Sequence, residues 1–106
     1  MGDSVLPVYS AEIHTKNKFK FKYGRIEIRA KLPSGDWLKP TIALLPNDNT
    51  YGGWPASGGI AIVESRGNKN LTNQKDLSVG ANVVEHTLHW GPNFRHNKWF
   101  KTHYEM

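Results

Sequence analysis

The sequence contains no cysteine, which excludes a disulfide scaffold, a thiolate zinc site and a cysteine nucleophile. It also lacks any apolar run approaching the roughly 18–20 residues that a membrane span requires. Amphipathic helical periodicity is almost missing, because ten glycines and six prolines interrupt most stretches long enough to hold it. The N-terminal stretch Met1 to Ser10 has no basic head followed by an apolar segment, so no secretion signal is visible in it.

The composition is that of one small domain or a part of one. The chain has 106 residues, of which 38% are hydrophobic, so it can bury a modest core and is not compositionally disordered. Its 14 basic and 9 acidic residues give a formal net charge of +5. This charge is compatible with a polyanionic partner but does not require one.

Alternation of apolar and polar residues predicts several antiparallel strands. Pro40 places one of these strands on a sheet edge or at a bulge, because proline cannot donate to a ladder. Short strands separated by turn signals indicate an all-β sandwich or barrel. The predicted strands cover residues 17–23, 25–32, 37–45, 59–64, 79–84 and 86–90.

Three segments carry a more specific signal, namely residues 23–33, 54–68 and 87–91. Together they resemble glycoside hydrolase family sixteen, nearest to its endo-β-1,3-glucanases and to the invertebrate β-1,3-glucan-recognition proteins, also called Gram-negative-bacteria-binding proteins. The resemblance implies an antiparallel β-sandwich of jelly-roll, concanavalin A-like type. Because that fold is longer than this chain, residues 1–106 are expected to form a partial domain, truncated at the C-terminal end and at the N-terminal end too.

In the active members of that family, one strand reads Gly-Glu-Ile-Asp-Ile-Met-Glu-Ser. Its first Glu is the nucleophile, its last Glu is the general acid/base, and the Asp tunes their protonation. The corresponding positions here are Gly59, Ala61 and Glu64. Residues i and i+2 of a strand share a face, whereas i+5 points the opposite way unless a bulge intervenes. The motif therefore predicts a β-bulge near residues 62–63, since a retaining mechanism needs its carboxyls about 5–5.5 Å apart.

The loss of the nucleophile favours binding over catalysis. Gly59 has no side chain, so it cannot form a glycosyl-enzyme intermediate, and Glu64 alone is not expected to suffice. The resemblance then implies a secreted, non-catalytic β-1,3-glucan receptor of innate immunity, with its signal peptide outside this stretch. An active or residually active endo-β-1,3-glucanase, using substrate assistance or a carboxylate from elsewhere, stays the alternative.

Five further residues are candidates for carbohydrate binding. Trp37 and Trp54 lie beside turns and are either core aromatics or platforms for a pyranose ring. Glu27 and Arg29 share one strand face, which is either a solvated ion pair or a wall of the glucan cleft. His89 is either structural or, by its place in the family motif, close to the cleaved bond. Active relatives commonly carry a second Trp two residues after Trp37, where this chain has a lysine.

No cofactor is expected, and no cluster of His, Asp and Glu has metal-ligand spacing. Alternating lysines and aromatics over residues 16–23 raise the alternative of single-stranded nucleic-acid binding through stacking and phosphate contacts. The alternation instead predicts buried aromatics opposite solvated lysines. The expected partner is therefore β-1,3-glucan or another microbial surface polysaccharide, not nucleic acid and not a membrane.

Overall fold

The computed structural model describes residues 8–106, which form one four-stranded antiparallel sheet with two short 3-10 helices. Residues 1–7, part of the stretch judged to carry no secretion signal, lie outside the described residues. The strands lie side by side in chain order, so the chain is all-β, as predicted. They are β1 (Thr41–Leu44), β2 (Gly59–Glu64), β3 (Glu85–His89) and β4 (His103–Glu105), and the 3-10 helices are Phe94–His96 and Trp99–Lys101.

Three predicted strands are confirmed, two of them with changed bounds. The strand over residues 59–64 is β2, and the one over 86–90 is β3, shifted by one residue. The apolar run over 37–45 shortens to β1, which begins directly after Pro40 and lies at the sheet edge. This edge position was predicted from the missing N–H of the proline.

The strands predicted over residues 17–23, 25–32 and 79–84 are wrong. A strand needs a partner to take its backbone hydrogen bonds, and none of the described residues offers one to residues 25–32. In residues 79–84 the backbone forms turns instead, with the Val83 N–H donating to Gly80. The aromatics predicted to be buried, Phe19, Phe21 and Tyr23, are exposed.

The sheet has two chemically different faces, because cross-strand partners share a face. One, here called the apolar face, includes Leu44, Ile60 and Val84 and borders a cavity of about 570 Å³. The even-numbered residues from 24 to 32 line the opposite wall of that cavity. The other face, here called the polar face, carries Gly59. It also carries the residues that share this side of the sheet by cross-strand pairing or by alternation along a strand, namely Thr41, Ala43, Ala61, Glu64, Glu85, Thr87, His89, His103 and Glu105.

None of the helical segments within residues 8–106 has the length and apolar character that crossing a bilayer would take.

Candidate functional site

The predicted β-bulge in β2 is confirmed. Ala61 lies opposite Thr87 and Glu64 lies opposite Glu85, so residues 61 to 64 of β2 span the same length as residues 85 to 87 of β3. The pairing with β1 shifts at the same place. The one extra residue lies at Ile62, where both ladders lose their register.

The bulge turns Glu64 onto the polar face with Gly59 and Ala61. Without the extra residue, Glu64 would point to the apolar face, because five strand steps reverse the direction of a side chain. His86 supports the bulge, since its ring Nδ1 donates a hydrogen bond of 2.5 Å to the Ile62 carbonyl. The described residues thus place the three motif positions on one surface.

Aromatic side chains surround Gly59. A Cβ added there would lie 3.5 Å from Trp54 Nε1 and 3.8 Å from His89 Cβ, both ordinary contacts. The Trp54 ring is 5.3 Å from the His89 ring and 6.0 Å from the Phe94 ring, centroid to centroid. Asn97 contacts His89 with 3.0 Å between its Nδ2 and the ring Nδ1. The structure therefore brings Trp54 and His89 together at Gly59, the position that the resemblance assigns to the nucleophile.

Ala61 occupies the most enclosed part of the polar face. It is 5% exposed, and its cross-strand partner Thr87 is 4% exposed. Thr87 Oγ1 lies 2.8 Å from the Nδ1 of His103, the next residue in the same row. The Ala61 methyl group therefore lies beside a hydroxyl and an imidazole, at the position where the resemblance implies a carboxylate.

Glu64 begins a row of carboxylates across the sheet. Glu85 lies opposite it on β3, and Glu105 lies opposite Glu85 on β4. Arg66 forms an ion pair with the middle carboxylate of this row, that of Glu85. Its Nη1 donates to Glu85 Oε1 at 2.8 Å and to the Val79 carbonyl at 3.3 Å. Within residues 8–106, no three His, Cys, Asp or Glu side chains are grouped so that they could hold a metal ion. The carboxylate in register with Glu64 is thus engaged in an ion pair.

Trp37 lies in the turn that precedes β1. The Gly67 N–H donates to the Leu38 carbonyl at 2.7 Å, so the β1–β2 pairing continues as far as Leu38 and Gly67, and the turn closed by the Leu38 N–H and the Gly35 carbonyl follows directly. Asn68 Oδ1 accepts a hydrogen bond of 3.1 Å from the Trp37 N–H. Trp37 is 79% exposed to solvent.

Glu27 and Arg29 are not brought to the polar face. Both are exposed, and Glu27 forms an ion pair with Arg25. Their neighbours Ile26 and Ile28 line the cavity on the apolar side of the sheet, so the odd-numbered side chains point away from it. Their assignment to a glucan cleft stays a prediction.

Sequence reasoning missed two residues that organise this surface. Arg66 and Asn68 follow Glu64 at spacings of two and four, and alternation along an extended chain was the available signal for both. The spacing does not reveal their partners. Glu85, the partner of Arg66, is 19 positions away in sequence, and Trp37, the partner of Asn68, is 31 positions away. Those contacts depend on strand register.

Comparison with known proteins finds close relatives of this segment. The chain is 50% identical over 99 residues to a "Beta-1,3-glucan-binding protein" of Penaeus monodon, covering 93% of this chain and 26% of that protein. It is 42% identical over 102 residues to a protein of the same name from Tenebrio molitor, covering 83% and 21%. A "Glucan endo-1,3-beta-glucosidase A1" of Niallia circulans is 52% identical over 58 residues, covering 55% and 8%.

The chain thus spans about a quarter of the length of the Penaeus relative and about a fifth of the Tenebrio one. No family model matches the chain. No solved structure matches it either.

Proposed function

Because the chain belongs to the family of the β-1,3-glucan-binding and Gram-negative bacteria-binding proteins, we propose that it recognises β-1,3-glucan on microbial surfaces without hydrolysing it. The observation that carries the proposal is the polar face, where the bulge places Glu64 on the same surface as Gly59 and Ala61. By the resemblance, those two residues occupy positions at which active relatives carry carboxylates. A receptor of this kind acts outside the cell, in innate immunity.

The polar face retains groups suited to binding a sugar chain. The Trp54 indole is 46% exposed beside Gly59 and offers a flat apolar surface to a pyranose ring. His89 beside it and Glu64 at the other end of β2 provide hydrogen-bonding groups for sugar hydroxyls. None of these groups is the side chain that is missing at Gly59. Binding therefore does not depend on the lost carboxylate.

The second candidate is a residual glucanase, which the likeness to the Niallia glucosidase favours. This activity needs a substitute nucleophile near Glu64. Glu85 is in register with Glu64, but its carboxylate is paired with Arg66 and its side chain is only 16% exposed. Because the carboxylate of Glu85 is engaged in this ion pair, it is poorly placed to act as a nucleophile, and this arrangement supports binding over hydrolysis.

The sheet is proposed to be one part of a larger jelly-roll sandwich. Its apolar face has the residue types of a surface that packs against a second sheet. The Penaeus relative is about four times as long as the part that this chain matches. The additional chain in such proteins is long enough to supply the opposing strands.

The proposal is tested with the full-length protein that contains this chain. We expect it to co-sediment with insoluble β-1,3-glucan and to stay in solution with cellulose, whose linkage is β-1,4. Trp54→Ala is expected to weaken binding to soluble laminarin more than about tenfold, because truncation of a central aromatic costs about 2 kcal/mol or more. Trp54→Phe, which keeps an aromatic face, is the matched control and is expected to bind within a few-fold of the parent. Failure to bind β-1,3-glucan, or equal binding to cellulose, would refute the function.

A further inference from the structure

We propose that Asn68 is a positioning residue, which fixes Trp37 in the conformation that presents its indole to the glucan chain. The inference deepens the proposed function and rests on it. Asn68 does not itself need to touch the sugar. Its contribution is the hydrogen bond from its Oδ1 to the Trp37 backbone N–H.

The backbone of Trp37 needs such a support. Its φ is 66°, in the left-handed region that bulky residues rarely occupy. A residue keeps this conformation only where contacts with the surrounding structure stabilise it, and such residues concentrate at functional sites. The indole gains little from burial, since Trp37 is 79% exposed. Packing of the side chain therefore does not explain the conformation. The hydrogen bond to Asn68 supports it, together with the turn bond from the Leu38 N–H to the Gly35 carbonyl at 3.4 Å.

Asn68 is itself well anchored. It is 7% exposed, and its carbonyl accepts a hydrogen bond of 2.7 Å from the Ala81 N–H. The preceding residue, Gly67, accepts from the Gly35 N–H at 2.9 Å. A Cβ on Gly67 would lie 2.3 Å from the Gly35 carbonyl oxygen, so only glycine permits this approach. The two loops are thus clamped together at the base of Trp37.

The position of Trp37 suits a second contact with one polysaccharide chain. Beside it lies an open groove of about 400 Å³, lined by Gly35, Asp36, Asn68, Lys69, Asn70 and Leu71. Its carboxylate, ammonium and amide groups provide donors and acceptors for sugar hydroxyls. Trp37 lies in the turn four residues before Thr41, the cross-strand partner of Glu64, while Trp54 lies beside Gly59 at the other end of β2. A linear glucan that follows β2 is expected to reach both tryptophans.

The test measures laminarin affinity of the full-length protein by calorimetry. Asn68→Ala is expected to raise the Kd roughly tenfold, because Trp37 loses the bond that holds its conformation. Asn68→Asp keeps an oxygen acceptor at the same place and is expected to restore the affinity to within a few-fold. Asn73→Ala is the matched control, since Asn73 Oδ1 also accepts from backbone amides, those of Lys75 and Leu77, but does not contact Trp37.

A double-mutant cycle separates positioning from a general structural role. In a Trp37→Ala background, Asn68→Ala is expected to cause no further loss of affinity, since the group it positions is gone. Unchanged affinity of Asn68→Ala in the parent would overturn the inference, as would an equal loss in both backgrounds. If the unmodified protein binds no laminarin, the proposed function fails first and the inference falls with it.

Discussion

At the scale of single residues, the proposal of binding without cleavage rests on Gly59. A Cβ added there meets only ordinary contacts with Trp54 and His89. At Ala61 the surroundings are tighter, but Thr87 and His103 offer polar partners to a carboxylate. Gly59 and Ala61 are thus the two positions of the polar face at which the resemblance to glycoside hydrolase family sixteen implies carboxylates.

Restoring both carboxylates is expected to create hydrolysis. The change is Gly59→Glu with Ala61→Asp in the full-length protein, which returns a nucleophile to the face that carries Glu64. We expect reducing ends to be released from laminarin at a rate at least about a hundredfold above the parent, since an essential nucleophile contributes orders of magnitude. The same double variant with Glu64→Gln is the control and is expected to be inactive. Activity that survives this third change would contradict the assignment of Glu64.

At the scale of elements, the bulge in β2 was predictable because a motif with fixed spacing demanded it. Carboxylates at i, i+2 and i+5 share a face only if one residue is extra. The alternation of residues 25–32 predicted a buried apolar face, and Ile26 and Ile28 do line the cavity beside the sheet, but they are 40% and 44% exposed and not buried. Their pairing into a strand was not predictable, because hydrogen bonds depend on a partner that local sequence does not specify.

The hydrogen bond from His86 to the bulge carbonyl of Ile62 is expected to contribute to stability. His86→Leu leaves that carbonyl without its donor and should lower the free energy of unfolding by about 1–3 kcal/mol. Chemical denaturation of the full-length protein measures the change. His86→Asn supplies a side-chain N–H at a similar reach and is expected to recover part of the loss. Equal stability of the parent and the leucine variant would show that the bond does not matter.

The residue contacts at the two tryptophans illustrate a second limit of sequence reasoning. The motif placed Trp54 and His89 in the same site by family likeness, and the structure brings their rings together over Gly59. No motif indicated the hydrogen bond between Trp37 and Asn68, because it joins the loop before β1 to the loop after β2. Register, which fixes that link, is a property of the assembled sheet.

At the scale of the whole molecule, the sheet buries little apolar surface. Within residues 8–106, the buried apolar side chains are those of Ala61 and Pro55, while Ile60 and Leu88 are each 44% exposed on the apolar face. The cavity of about 570 Å³ beside that face leaves it without tight packing. One sheet with an open face is not expected to be independently stable.

The isolated 106-residue chain is therefore expected to unfold without a cooperative transition and to bind a hydrophobic dye such as ANS. The full-length protein is expected to show a sharp thermal transition and little dye binding, since more chain is available to cover the apolar face. Differential scanning calorimetry and dye fluorescence on the two proteins make the comparison. A sharp, reversible melt of the isolated chain would show that these residues suffice for a stable fold.

The most direct test of the central claim is the release of reducing ends from laminarin by the full-length protein, measured at concentrations where binding is saturated. The account predicts saturable binding with no release above the buffer control, because among the described residues the carboxylate in register with Glu64, that of Glu85, is paired with Arg66. Sustained release that disappears in Glu64→Gln would contradict it, and would make this protein a glucanase with a nucleophile in another place.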